Sequence, residues 1–119
     1  MIKIESCSGK NGFEPGQPAS FDISWDLTRA PDHLEVQLVW ETAGEGEQKT
    51  DVAVSERFDA ASSSGTHQIE LVTPEEPHSY SGRGLSVLWR LEVKASPIGR
   101  AEPFDLIIGP NGRGIEEAF

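Results

Sequence analysis

A single cysteine, Cys7, stands in the whole sequence, so no internal disulfide can staple the chain and its stability must come from packing. A lone thiol also suits a reducing compartment. Cations are scarce: ten Lys and Arg face twenty Asp and Glu, a formal charge of −10. Nucleic acid and anionic membranes draw on basic patches, and Arg83, Arg90, Lys94 and Arg100 are instead scattered among strand and turn residues. We therefore expect no nucleic-acid partner. Long apolar runs are missing too, with no stretch near the ~18 residues of a membrane span. The opening MIKIESCSGK lacks the apolar core of a secretory signal. These absences point to a cytoplasmic protein without a membrane span.

What is present is a core and a rhythm. A chain of 119 residues fits one domain and can bury roughly two-thirds of its unfolded surface. Three tryptophans and five phenylalanines in a 36% hydrophobic composition exclude an acidic disordered tail. Apolar residues alternate with period two in seven segments: Ile2 to Glu5, SFDISWDL, LEVQLVWE, TDVAVSERF, HQIELV, LSVLWRLEVKA and PFDLIIG. In the fourth, Glu56 interrupts Val52, Val54 and Phe58, which predicts a bulge or a strand end at a sheet edge. Turn-forming sequences such as GKNGFEPGQPA, TRAPDH and TPEEPHSYSGRG separate the segments. The intervals are too short for helical crossovers, so the class is all-β, a single antiparallel β-sandwich of about seven strands. We expect it to fill residues 1–110, with 111–119 as a short polar tail.

Two motifs carry a family resemblance. PEEPHSYSGRGLSVLWRLEVKA places Pro74, Pro77, Ser79, Tyr80 and Gly82 ahead of a strand through Val87, Trp89, Leu91, Val93 and Ala95. Pro77 removes a ladder donor and restricts Glu76, so the preceding strand must stop near Val72. Gly82 and Gly84 permit the reversal, and a positive φ is expected at Gly82. Earlier, GFEPGQPASFDISWDL sets Phe13, Pro15 and Gly16 as an aromatic-x-Pro-Gly hairpin before an alternating strand. In this order the motifs resemble the arrestin-like β-sandwich family, in a single-domain, bacterial-type form. An immunoglobulin-like or fibronectin-like sandwich is the second choice, although one cysteine cannot form the immunoglobulin inter-sheet disulfide. The resemblance implies a sandwich and non-enzymatic adaptor or scaffold work. The chain departs from arrestins in having length for one sandwich, and from phosphate-reading members in its acidity.

His33 and His78 fall in turns, while His67 shares the inward phase of Ile69 and Leu71; no metal or nucleophile site is assigned to them. Ser79 lacks the Gly-x-Ser-x-Gly strand-to-helix setting of a hydrolase and reads as a turn hydroxyl bonding its own backbone. Glu45 and Glu47, like Glu75 and Glu76, read as solvated loop acids, so no catalytic residue, metal or cofactor is expected. Trp25, Trp40 and Trp89 share the phase of their strands' aliphatics and read as core. Apolar residues out of phase are few: Val39, Val72, Leu88 and Ile107. With the FDLIIG run, they nominate Val39, Leu88, Phe104, Leu106 and Ile107 as interaction residues.

The functional expectation is a protein-interaction module that binds a protein or peptide, basic in preference, through an edge strand or end loops. An edge-strand homodimer is a further possibility of the same chemistry. The alternative is a carbohydrate- or ligand-binding accessory domain of a larger or secreted protein, which requires a solvent-facing tryptophan.

Overall fold

A computed structural model describes residues 1–44, 48–60, 62–82, 84–97 and 99–116; Glu45, Glu47 and Arg83 lie outside the described residues. Among the described residues, ten strands and one 3-10 turn follow in chain order: β1 (Ile2–Ser6), β2 (Gly12–Phe13), β3 (Pro18–Asp26), β4 (His33–Gly44), β5 (Thr50–Asp59), β6 (Ser64–Val72), β7 (Tyr80–Ser81), β8 (Leu85–Ser96), β9 (Phe104–Ile108), η1 (Pro110–Gly112) and β10 (Ile115–Glu116). All seven alternating segments are strands. The three additional ones are two residues long and are defined by backbone pairing, not by alternation.

The strands form two sheets. One is β1-β3-β6, antiparallel throughout. The other runs β10-β7-β8-β4-β5, with β9 also on β8 and β2 on β9. Their inner faces share one core, because period-two alternation puts the apolar residues of each strand on one side. Ala19, Phe21, Ile23 and Trp25 of β3 are buried, as are Leu34, Val36 and Leu38 of β4 and Trp89, Leu91, Val93 and Ala95 of β8. Aromatic pairs bridge the layers: Phe21 meets Phe104 edge-on at 5.6 Å, and Trp25 meets Phe58 at 5.9 Å. His67, which is exposed, stacks on Phe58 at 4.2 Å and extends this contact toward the rim.

Two expectations change at β5. Glu56 keeps step with Val54 and Phe58, opposite Val36, and stays exposed because β5 is the sheet's edge strand. The bulge is at Ala53: Leu38 pairs with Val54 but Val39 pairs with Val52, so Ala53 is the extra residue. One added residue reverses every side chain beyond it. Val52 therefore joins the outer face beside Val39 and is 44% exposed.

The expected polar tail is also partly integrated. After η1, Ile115–Glu116 pairs in parallel with Tyr80–Ser81, so the sheet takes in residues past 110. The Asn111 amide donates to Glu14 Oε1 at 3.1 Å, tying η1 back to the first motif.

Candidate functional site

The two sequence motifs meet at one end of the sandwich. Gly16 takes φ 71°, as a Pro-Gly turn requires, and its amide donates to the Thr73 carbonyl at 2.8 Å. Thr73, buried and adjacent to Pro74, donates its amide to Gln17 O at 2.9 Å, and its hydroxyl accepts from the Gln17 amide. The turn at Pro15–Gly16 and the connection at Pro74 are thus one hydrogen-bonded unit. Phe13 packs against Phe21 at 5.5 Å, and its carbonyl accepts from Gly109.

The second motif is locked to β9 and β8. Buried Ser79 donates its amide to Ile108 O at 2.7 Å, and its Oγ accepts from the Ile108 amide at 2.9 Å. The hydroxyl thus serves a distant strand and not its own backbone as expected. Trp89 Nε1 donates to Pro77 O at 2.9 Å. Tyr80 is half-buried on β7, opposite Val87. Gly82 has no positive φ; Gly84 does, at 83°. What Gly82 provides is room, since a Cβ there would lie 2.5 Å from the Tyr80 hydroxyl. These residues are architecture, and their interlocking creates the feature beside them.

That feature is a fork in the sheet. Along one edge of β8, Ser86 and Val87 pair with β7, whereas Trp89, Arg90 and Leu91 pair with β9. Leu88 lies between and has no register partner on that edge among the described residues. Ser79 enters between the two neighbours through its bonds to Ile108, where β9 pairs with β2 and no longer with β8. The divergence opens a groove of about 390 Å³ on the outer face, lined by Leu88, Ile107, Tyr80 and Val87 with Glu41, Arg90 and Asp105. Leu88 is 48% exposed and Ile107 36%.

Of the five nominated interaction residues, the fork joins Leu88 and Ile107. Leu106 reaches the groove's wall, yet it is buried on the inner face opposite Trp89 and belongs to the core. Phe104 points inward onto Phe21. Val39 is on the outer face as its phase predicts, but it is buried. Its flanking partners there are Val52 and Arg90, and Arg90 is fixed by ion pairs to Glu41 at 2.9 Å and Glu92 at 3.5 Å. A pinned guanidinium stem covers an aliphatic neighbour well. Val72, 62% exposed, lies on β6 in the other sheet and apart from this patch. The fork itself was not readable in the sequence, because β7 carries no alternation to announce it.

A second hollow, wider at about 800 Å³, lies over Ser6, Lys10, Gly12, Phe104 and Arg113. It is shallow, and the Asn111 amide on its wall is already taken by Glu14. Among the described residues no three His, Cys, Asp or Glu side chains come together as a metal site. No helix among them is long and apolar enough to cross a membrane.

No known family profile and no curated protein sequence matches the chain. Solved structures do. The sporulation control protein Spo0M from Bacillus subtilis superposes with a TM-score of 0.66 at 11% identity, over 92% of this chain and 49% of Spo0M. The fold is an arrestin-like sandwich. This chain spans about half the length of Spo0M. A β-glucosidase from Listeria innocua gives a TM-score of 0.50 at 14% identity, over 92% of this chain and 16% of the enzyme. At these identities the likeness is one of fold, and function must be argued from the site.

Proposed function

We propose that this arrestin-like sandwich is a non-enzymatic protein-interaction module, an adaptor or scaffold of the cytoplasm, that binds its partner at the β7–β8–β9 fork. The observation that carries the reading is the convergence of Leu88 and Ile107, two exposed aliphatics from different strands lining one groove. Scattered surface aliphatics are ordinary, but convergent ones in a concave site favour binding. The fork also holds them rigidly, because β7 and β9 are locked to each other through Ser79. The sugar-binding alternative calls for an exposed tryptophan. Trp25 and Trp89 are buried, and Trp40 packs against the core, which favours the interaction reading.

The test is photo-crosslinking in cells with benzoylphenylalanine placed at position 88, 107 or 72. Crosslinks to a protein from 88 and 107 but not from 72 are expected. Equal labelling from all three, or labelling from 72 alone, would remove the groove as the binding face.

A further inference from the structure

We infer that the fork groove holds an extended basic peptide that inserts one apolar side chain between Leu88 and Ile107. This rests on the interaction reading above and adds the chemistry of the partner. The hollow has room for an aliphatic side chain together with the backbone on either side of it. Its rim is acidic: Glu41 and Asp105 line it beside Arg90, which stands opposite Asp105 in register and is ion-paired to Glu41 and also to Glu92, outside the lining. Two lining carboxylates less one guanidinium leave a net negative charge beside the apolar floor, and Glu92 offsets the guanidinium further. The whole-chain charge of −10 reinforces that field.

Such a surface attracts cations at long range and discriminates by apolar contact at short range. An acidic or neutral partner would lose the first term, and a second copy of this chain would bring its own −10 charge against it. A strand-like peptide meets both demands, since alternate side chains share one face and can set lysines two residues either side of the apolar one.

The test uses fluorescein-labelled nonapeptides with a central leucine and lysine at the second and fourth positions on each side, the rest serine. Matched peptides replace the lysines with serine or glutamate, or the leucine with serine. The lysine–leucine peptide should bind the intact chain at least tenfold more tightly than each of the three, and progressively more weakly as salt rises. Leu88→Asp, at an exposed position, should weaken it at least tenfold without lowering the melting temperature. Glu41→Gln with Asp105→Asn should weaken the lysine–leucine peptide but not the serine–leucine one.

Equal affinity for lysine and serine flanks would overturn the basic partner while leaving an interaction groove. Binding that survives both Leu88→Asp and Ile107→Asp would overturn the groove as the peptide's seat. So would a wild-type dimer in sedimentation that Leu88→Asp dissolves, because the occupant would then be a second copy. Absence of binding by every peptide would also overturn the inference, whereas the interaction reading stands or falls on the crosslinking.

Discussion

The indole of Trp89 donates its Nε1–H to the carbonyl of Pro77 at 2.9 Å, joining the middle of the longest motif strand to the turn that precedes it. The ring is 2% exposed and lies opposite Trp40 on β4, so one side chain serves both the core and the connection. A buried indole needs a partner for its donor, and Pro77, which has no N–H to give, still offers its carbonyl as the acceptor.

Trp89→Ala should therefore cost about 3–5 kcal/mol by loss of packing. Trp89→Phe keeps most of the ring volume but leaves Pro77 O without its donor, at a cost of about 1–3 kcal/mol. Denaturant unfolding of both variants measures this. A Trp89→Ala protein that melts like wild type would refute the central placement of this residue.

This pair also indicates what the sequence could and could not disclose. The seven long strands were legible because each carries several alternating apolar residues, as from Phe21 to Trp25. Motif residues Pro77, Ser79 and Tyr80 were legible as a turn, but their partners were not. Ser79 bonds Ile108, twenty-nine positions away, and no local pattern encodes that contact. β2, β7 and β10 are held by backbone pairing, which is indifferent to side-chain type. Val39 was placed on the correct face, yet its burial depends on Arg90 and on a bulge at Ala53, both set by neighbouring strands. The groove's apolar residues come from the legible strands β8 and β9, and only its β7 wall, which makes it a groove, carried no sequence signal.

Ser79→Ala removes the acceptor for the buried Ile108 amide. The expected loss is about 1–3 kcal/mol, because a buried donor is left without a partner. Hydrogen exchange at Ile108 should accelerate more than at Leu91, which pairs with β4 as well as β9. Unchanged exchange at Ile108 would mean that the hydroxyl does not lock β7 to β9.

Gly82 and Gly84 should respond differently to alanine. Gly84→Ala forces a Cβ onto φ 83°, at about 1–2 kcal/mol of backbone strain, and lowers the melting temperature. Gly82→Ala instead drives a methyl into the Tyr80 ring. The chain has a single tyrosine, so aromatic NMR reports this ring without ambiguity. Its signals should move in Gly82→Ala and stay nearly in place in Gly84→Ala. The reverse pattern would contradict the assignment of steric room to Gly82.

Cys7 is exposed, but its thiol is held above its ordinary pKa, by loss of local hydration first and by the charge and hydrogen bond of Asp22 second. A raised pKa means less thiolate at a given pH, and the thiolate is the nucleophile. Iodoacetamide should modify Cys7 more slowly than free cysteine at pH 8, with the midpoint of the rate profile displaced to higher pH. Asp22→Asn should shift that midpoint downward. A midpoint unmoved by Asp22→Asn would exclude the carboxylate's influence.

Polyanions should find no purchase. A phosphate approaching Arg90 must displace Glu41 and Glu92 from the guanidinium, and it must do so against a chain of charge −10. Phosphate recognition by arginine depends on paired donors aimed at the ligand, whereas here Nη1 and Nε face Glu41 and Glu92. At physiological salt, screening over about 8 Å weakens the long-range repulsion but leaves the two close carboxylates in force. Heparin, phosphopeptides and anionic vesicles should therefore show no measurable binding in titration calorimetry near physiological salt. Lowering the salt should not rescue it, because the repulsion then grows. Salt-sensitive binding of a phosphopeptide that Arg90→Ala abolishes would overturn this, and would make Arg90 a phosphate reader instead of a clamp over Val39.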